Sequence, residues 1–281
     1  MTQSGVGASM GTRGRVMFDV LPAVARAAVA AEIGTIRRIE PVGSGLNSTF
    51  AAVLHTDHTA VFVKATPSDH PRIRGHQREA AIAPHTTGIA PRLRWQLDAG
   101  GWNLLGFDHL PGRTADLAPG SPDLAALASS LTRLGDLVRP ELPLRRIEQR
   151  WAGLAGDADL ALLAGDHLLH TDLNPNNILI SGGRAWLVDW AWPTLGAGWI
   201  DPACAALWLI AEGHAPAAAE AWAHELPVWS HATQAGLDTF VAVNVRLWAQ
   251  IADEDPQPWK LALRDAATQW QTYRQSANVG W

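Results

Sequence analysis

Three side chains that could bind a metal ion or move a proton stand in one polar stretch of the sequence. Asp172 and Asn177 lie five residues apart on a predicted loop, and Asp189 ends a short apolar run further along the chain. A hairpin between the apolar runs that follow the loop would bring Asn177 and Asp189 together as two oxygen ligands for a hard cation. Mg²⁺ suits such a pair, because it takes few protein oxygens and completes its coordination with phosphates and waters. Asp172 would then lie beside the metal, where its carboxylate could accept a proton from a hydroxyl group.

The elements that must position these residues fall into parts of different pattern. Residues 17–107 alternate short apolar runs with turn residues, which predicts a small antiparallel sheet with an inserted helix. Residues 108–281 carry mostly helical patterns, and the Gly- and Ser-rich residues 1–16 are expected to be flexible. The predicted fold class is therefore α+β, with a small β-rich N-lobe and a larger α-helical C-lobe. The predicted strands are 36–41, 50–55, 60–65, 92–97 and 102–107, and the predicted helices are 18–33, 71–86, 122–138, 147–163, 201–213, 215–225, 235–252 and 259–273.

Composition and charge exclude several classes of protein. The chain has 281 residues, 47% hydrophobic and 17% charged, so it can bury a sizeable core and is not expected to be disordered or fibrous. The net charge of −5 argues against nucleic acid as a partner. No apolar run approaches the roughly 18 residues of a membrane span. The one cysteine, Cys204, cannot form an intrachain disulfide, which fits a reducing compartment. We expect a soluble, cytoplasmic monomer.

The polar stretch resembles the catalytic loop of a known family. The pattern His-x-Asp-x-x-x-x-Asn at residues 170–177, followed by Asp189 at the end of a strand, is similar to that of the aminoglycoside phosphotransferases. This family is related to the protein kinases, and the resemblance extends over residues 42–209. It implies a protein-kinase-like bilobal fold with Asp172 as the catalytic base and with Asn177 and Asp189 as Mg²⁺ ligands. The alternative is a polar loop with no catalytic role.

The resemblance also implies a nucleotide-binding N-lobe. Lys64 is one of only two lysines in the chain and ends a predicted strand, where the family places the cation that holds the phosphates of ATP. Glu79, on the next predicted helix, is the expected partner of that lysine. ATP is the expected co-substrate, and GTP is the alternative.

Two further segments are expected to contact the nucleotide. The glycine-rich turn between the first two strands would let its backbone N–H groups approach phosphate oxygens, and its candidate residues are Gly43, Gly45, Asn47 and Ser48. Backbone groups near Asp108 and Leu110, at the end of the last predicted strand, would hydrogen-bond the adenine edge by the same resemblance.

The acceptor site is the least defined part of the sequence. Trp192 and Trp199 follow the predicted metal site and are candidates for acceptor contacts. Asp201 is also a candidate, although its segment resembles a Gly-Asp-Pro-Ala stretch of the family, in which this carboxylate would brace the catalytic loop. Residues 186–281 carry four basic and ten acidic side chains, which favours a cationic acceptor.

Three functions are consistent with these features. The first is an ATP-dependent O-phosphotransferase that inactivates a cationic antibiotic, either an aminoglycoside or a basic peptide of the capreomycin or viomycin type. The second is a metabolic kinase for choline, an amino alcohol or a sugar. The third is a nucleotide-binding regulator without turnover, against which the complete set of catalytic positions argues.

Overall fold

The computed structural model of the protein describes residues 17–43 and 48–278, which form two compact units. The strand-rich unit contains the described residues up to Arg113 together with the later segment Trp186–Trp192. The helix-rich unit contains Thr114–Ala185 and the described residues from Pro193 onward. The predicted flexible N-terminus at residues 1–16 lies outside the described residues.

The strand-rich unit is built on an antiparallel sheet with the strand order β1-β2-β3-β5-β4. Short apolar runs separated by turn residues form these strands, as the sequence pattern predicts. The strands are β1 (Arg38–Pro41), β2 (Phe50–His55), β3 (Ala60–Pro67), β4 (Leu93–Ala99) and β5 (Trp102–Asp108). Two helices complete the unit, α1 (Ala23–Ile33) and α2 (Ile73–Ile82).

The alternation of side chains along β3 decides which residues face each helix. Val61, Val63 and Ala65 are buried in one apolar cluster with residues of α1. Successive side chains of a strand point to opposite faces, so Phe62, Lys64 and Thr66 face the other way. Phe62 packs on that second face against a cluster that includes Ala80 of α2. Lys64 is thereby presented to α2.

The helix-rich unit is mostly α-helical, with a core of large aromatic side chains. The ring of Phe240 makes edge contacts with Trp151, Trp199 and Trp270. The helices are α3 (Asp123–Gly135), α4 (Ile147–Arg150), α5 (Asp157–Leu160), α6 (Ile200–Ala211), α7 (Pro216–His224), α8 (Gln234–Glu254) and α9 (Pro258–Asn278). None of the helices in the described residues has both the length and the apolar composition of a membrane span.

Short strands that follow β5 pair in two small sheets. They are β6 (Arg113–Thr114), β7 (Arg145–Arg146), β8 (His167–Leu169), β9 (Ile178–Ser181), β10 (Arg184–Leu187) and β11 (Thr194–Gly196). The sheet orders are β10-β9-β6 and β7-β11-β8. β8 and β9 flank the predicted catalytic loop and thus hold both of its ends.

The predicted helix 147–163 is wrong. Its two ends form the short helices α4 and α5, while the chain turns between them, and Gly153 has a φ of +87° that a helix does not contain. The predicted helix 18–33 is also shorter than expected, because α1 begins only after Pro22. Pro lacks an N–H and favours the first turn of a helix over its interior.

Candidate active site

A buried lysine is shared by two carboxylates in the strand-rich unit. Lys64 Nζ donates to both carboxylate oxygens of Glu79, at 2.8 and 3.0 Å, and to Asp189 Oδ1 at 3.2 Å. The side chains of Lys64 and Glu79 are only 9% and 6% exposed. The structure therefore brings together three of the predicted site residues, although Lys64 and Asp189 are 125 positions apart in the chain.

The electrostatics of this cluster keep the lysine charged. Burial works against the ammonium group, but the carboxylates of Asp189 and Glu79 outweigh it and raise the pKa of Lys64. Burial also raises the pKa of Glu79, and the nearby charge of Asp189 adds to that effect. One ammonium thus balances two carboxylates in a site with little water. The Lys64 ammonium can therefore bind an anion only if one of the two carboxylates moves away from it or if a cation enters together with the anion.

A cavity in the strand-rich unit is lined by this cluster. Lys64, Glu79 and Asp189 form its polar part. Its apolar part includes Phe62 and Phe107, whose rings lie 6.5 Å apart between centroids. The cavity offers a cation and two carboxylates next to an aromatic surface.

In the predicted catalytic loop, residues 170–177 of the helix-rich unit, hydrogen bonds hold both the side chain and the backbone of Asp172. Asn174 Nδ2 donates to Asp172 Oδ1 at 2.9 Å, and Asn174 Oδ1 accepts from the N–H of Asn176 at 3.0 Å, which caps a short 3-10 turn. Asn177 Nδ2 donates to the carbonyl of Asp172 at 2.9 Å. The N–H of Asp172 donates to His170 Nδ1 at 3.2 Å. The bond from Asn174 positions the Asp172 carboxylate, and the bonds with Asn177 and His170 hold the backbone of Asp172.

Asp201 supports the backbone of this loop by hydrogen bonds. It is only 1% exposed, and its two carboxylate oxygens accept from the backbone N–H groups of His170 at 2.7 Å and Thr171 at 2.8 Å. Burial raises the pKa of Asp201, while nearby His170 and the two N–H groups oppose that effect. Thr171 has a φ of +64°, which is uncommon for a β-branched residue and needs such support. Asp201 is therefore a structural acceptor, and we do not propose it as an acceptor-substrate contact.

Arg150 lies next to this loop, and sequence patterns do not predict it. Its Nη1 donates to Thr171 Oγ1, and to Thr194 Oγ1 at 3.2 Å. Burial lowers the pKa of Arg150, and the charge of nearby Asp172 opposes that effect. A guanidinium in this position places positive charge near Asp172.

The remaining predicted site residues have different surroundings. Trp199 is 2% exposed and packs against Phe240 in the core, whereas Trp192 is 44% exposed. Asp108 forms an ion pair with Arg94 at 2.6 Å. Leu110 follows it in the chain and is half-buried. Gly43 and Ser48 stand at the two ends of the glycine-rich turn, and Gly45 and Asn47 lie outside the described residues.

Asp189 in the strand-rich unit and Asn177 in the helix-rich unit each offer a side-chain oxygen of the kind that Mg²⁺ binds. Within residues 17–43 and 48–278, no group of three or more His, Cys, Asp or Glu side chains could hold a metal ion. Asp189 offers a carboxylate, and Asn177 retains its amide oxygen because its nitrogen donates to Asp172. A hard cation that obtains most of its ligands from phosphates and waters needs few protein oxygens of this kind.

Comparison with solved structures shows that small-molecule kinases share the fold. A thermostable mutant of the aminoglycoside phosphotransferase APH(4)-Ia, in a ternary complex with ADP and hygromycin B, has a TM-score of 0.56 and 12% identity, over 86% of this chain and 97% of that chain. For choline kinase LicA from Streptococcus pneumoniae the TM-score is 0.59 at 13% identity, over 88% of this chain and 97% of that chain. A proposed fructosamine-3-kinase from Haemophilus somnus has a TM-score of 0.58 at 12% identity, over 88% of this chain and 96% of that chain.

The chain has a protein-kinase-like fold. The predicted fold class, with its strand-rich N-terminal part and larger helical part, is thereby confirmed. No protein-family model and no curated protein matches the chain. At these identities the structural likeness shows the fold alone, and activity must be argued from the site.

Lys64 and Glu79 lie on consecutive elements of the strand-rich unit. Kinases of this fold use a lysine on the third strand, paired with a glutamate on the following helix, to hold the phosphates of ATP. Lys64 lies on β3 and Glu79 on α2, and the two form an ion pair.

Several site residues could not be predicted from motifs. Asn174 lies within the catalytic loop, two positions after Asp172, so its proximity was the one available signal. Phe62 precedes Lys64 by two positions on the same face of β3, which could have placed it beside the lysine. Arg150 is 21 positions away from its partner Thr171, and no local pattern connects them.

Proposed function

We propose that the protein is an ATP-dependent small-molecule kinase that transfers the γ-phosphate to a hydroxyl group of a small cationic acceptor. The observation that carries this proposal is the buried cluster of Lys64, Glu79 and Asp189 in a chain that also holds Asp172 in an ordered catalytic loop. A protein that used this fold only for structure would not need an ammonium, two carboxylates and a cavity in one place. The proposed setting is the cytoplasm, where ATP and Mg²⁺ are available, and the proposed active form is a monomer.

The strand-rich unit would bind the nucleotide. The ammonium of Lys64 would hold phosphate oxygens, and Glu79 would keep the lysine oriented. The rings of Phe62 and Phe107 offer an apolar surface to the base. Backbone groups near Asp108 and Leu110, and the glycine-rich turn with Gly43, Gly45, Asn47 and Ser48, are proposed as further nucleotide contacts.

The helix-rich unit would supply the group that acts on the acceptor. Asp172 would accept the proton of the acceptor hydroxyl while that oxygen forms a bond to the γ-phosphorus, and the bond from this phosphorus to the β–γ bridging oxygen breaks, so that ADP leaves. Asn174 holds the Asp172 carboxylate in place for this step. Asn177 and Asp189 would be the protein ligands of Mg²⁺, which, when bound, supplies positive charge to the phosphates. Positioning and electrostatic stabilisation provide most of the rate in reactions of this type.

The acceptor class follows from charge. Residues 186–281, which include most of the helix-rich unit after the catalytic loop, carry a net negative charge from ten acidic and four basic side chains. An acidic surface attracts a polycation and raises its rate of association at low salt. We therefore propose an aminoglycoside or a basic peptide antibiotic as the acceptor, with inactivation of the antibiotic as the outcome.

A metabolic acceptor is the second candidate function. The structural likeness to choline kinase LicA and to the proposed fructosamine-3-kinase favours it. By TM-score this likeness is as close as the likeness to APH(4)-Ia. Choline, an amino alcohol or a sugar would use the same proton acceptor and the same nucleotide site.

A panel of acceptors with a mass readout tests both functions. Purified protein with ATP and Mg²⁺ is incubated with aminoglycosides, basic peptide antibiotics, choline, amino alcohols and sugars, and products are searched for the added mass of one phosphate. We expect phosphorylation of cationic antibiotics and loss of that product in the Asp172→Asn variant, by roughly a hundredfold to ten-thousandfold in kcat. Phosphorylation of choline or a sugar alone would favour the second candidate. Binding of ATP without transfer to any member, equally in wild type and variant, would contradict a kinase.

A further inference from the structure

Arg78 of helix α2 contacts the residues that follow Asp189, and it belongs to neither the predicted catalytic loop nor the predicted nucleotide site. Arg78 Nε donates to the carbonyl oxygen of Ala191 at 2.9 Å. The guanidinium of Arg78 also stacks over the indole ring of Trp192, 4.8 Å from the ring centroid. Arg78 directly precedes Glu79, so adjacent residues of one helix contact the Lys64 cluster and the segment that follows Asp189.

The segment that Arg78 contacts, residues 189–192, has an unusual backbone. Asp189 has a φ of +64°, a conformation in which an L-residue with a side chain is disfavoured. A non-glycine residue in this region costs on the order of 1 kcal/mol or more, and it persists only when its surroundings hold it. In this backbone conformation the side chain of Asp189 accepts from Lys64 Nζ at 3.2 Å.

Three contacts from α2 hold the segment. The N–H of Trp190 donates to the Glu79 carboxylate. Arg78 binds the carbonyl of Ala191 and the ring of Trp192. Successive residues after Asp189 are therefore each tied to the same helix.

We propose that Arg78 is a positioning residue that holds Asp189 in the conformation needed to bind a divalent metal ion together with a nucleotide. This inference deepens the proposed function and rests on it. Arg78 combines a hydrogen bond to a carbonyl with a flat contact on an aromatic ring, and a planar guanidinium is suited to making both at once. Removing it would take one hydrogen bond and one ring contact from the two residues after Trp190, and this would weaken the support for the conformation of Asp189.

The test compares Arg78→Met with a matched control on the same helix. Arg74→Met, one turn earlier on α2 and exposed, removes the same charge without touching the segment. Binding of Mn²⁺ in the presence of ADP is measured by electron paramagnetic resonance, which does not depend on turnover. We expect the apparent Mn²⁺ dissociation constant to rise about tenfold in Arg78→Met, the size expected for losing a hydrogen bond from a charged donor, and to stay at the wild-type value in Arg74→Met.

Two further variants separate positioning from a general structural role. Trp192→Phe keeps an aromatic ring under the guanidinium and should retain most of the Mn²⁺ affinity, whereas Trp192→Ala should lower it. Amide hydrogen exchange of Trp190 should become faster in Arg78→Met than in Arg74→Met, even without nucleotide. Equal thermal melting of these two arginine variants, with different Mn²⁺ affinity, would support positioning.

The possible results distinguish this inference from the proposed function. Wild-type Mn²⁺ affinity in Arg78→Met, in a protein whose wild type binds Mn²⁺ with ADP, would overturn the role of Arg78 alone. No Mn²⁺ binding by the wild type with ADP would overturn the proposed function and this inference together. A loss of affinity in Arg78→Met that is matched by an equal loss in Arg74→Met would show a charge effect and also refute the positioning role.

Discussion

His76 should make the stability of the protein depend on pH in a defined range. It lies on α2, three positions before Glu79, and is only 3% exposed. Asn103 Nδ2 donates to Asp98 Oδ1 at 2.8 Å, so Asn103 Oδ1 faces His76 Nδ1 at 2.8 Å and that ring nitrogen carries the proton. In the part of the chain that the structure describes, His76 Nε2 is buried without a hydrogen-bond partner. The neutral ring is therefore the form that fits this site.

The direction and size of the effect follow from the pKa of His76. Burial is the largest cause that lowers this pKa to about 4, the charge of Lys64 adds to it, and the hydrogen bond to Asn103 opposes it. The unfolded chain, with a pKa of about 6.5, binds a proton at higher pH than the folded protein does. Stability is therefore complete above about pH 6.5 and is lost as pH falls through about 4. The difference between the unfolded and folded pKa values corresponds to about 3 kcal/mol of unfolding free energy. About 2 kcal/mol of this is lost between about pH 7 and pH 4.5.

Urea unfolding at several pH values would measure this effect in wild type and in His76→Asn. The asparagine nitrogen can replace Nδ1 as a donor to Asn103 but cannot gain a proton. We expect the variant to start less stable, because its side chain is smaller, and to lose about 2 kcal/mol less than wild type between about pH 7 and pH 4.5. Ala80→Gly, on the same helix, is the control for lost packing and should lower stability equally at every pH. Parallel pH profiles for wild type and His76→Asn would refute the reasoning.

Two other substitutions test the site and the sheet. Lys64→Met leaves two buried carboxylates without their cation. We therefore expect the free energy of unfolding, measured by chemical denaturation at neutral pH, to fall by about 3–5 kcal/mol. A variant as stable as wild type would show that water replaces the ammonium. Gly106→Ala adds a Cβ that would lie 2.2 Å from a ring carbon of Trp95, so thermal unfolding should show a loss of about 1–3 kcal/mol. An unchanged melting temperature would mean that the indole moves aside without cost.

The sheet could be predicted well because its information is local. β2 was expected at residues 50–55 and forms there, and β3 begins where expected and runs two residues further. Apolar runs bounded by turn residues and glycines define such strands without reference to the rest of the chain. The hairpin between β4 and β5 likewise turns at Gly100 and Gly101, both with positive φ.

The errors arise where distant contacts decide the local structure. Residues 147–163 have helical composition, but the chain is bent between α4 and α5. β7, β8 and β11 are two or three residues long and carry no periodicity, so only their pairing with one another reveals them.

The same distinction applies to the candidate site. Asp172, Asn177 and Asp189 were identified by residue type and spacing, and Lys64 by its scarcity and its place at a strand end. Glu79 as the partner of Lys64 and Asp201 as the brace of the loop followed from the family resemblance. Arg78 did not, because it and its partner Ala191 are 113 positions apart. A motif contains residues that are close in the sequence and leaves out those that contact them from distant parts of the chain.

The division of the chain has a consequence for how this protein can be cut or recombined. Seven residues, Trp186–Trp192, belong with a unit whose other members all precede Thr114. A fragment that stops near residue 113 would therefore lack the carboxylate of Asp189 that Lys64 contacts. A fragment that starts there would contain residues 186–192 without the unit to which they belong. If the chain is divided near residue 113, the first fragment must therefore obtain residues 186–192 from a second molecule. This applies to separate expression of the units, to domain exchange with a related chain and to a split reporter.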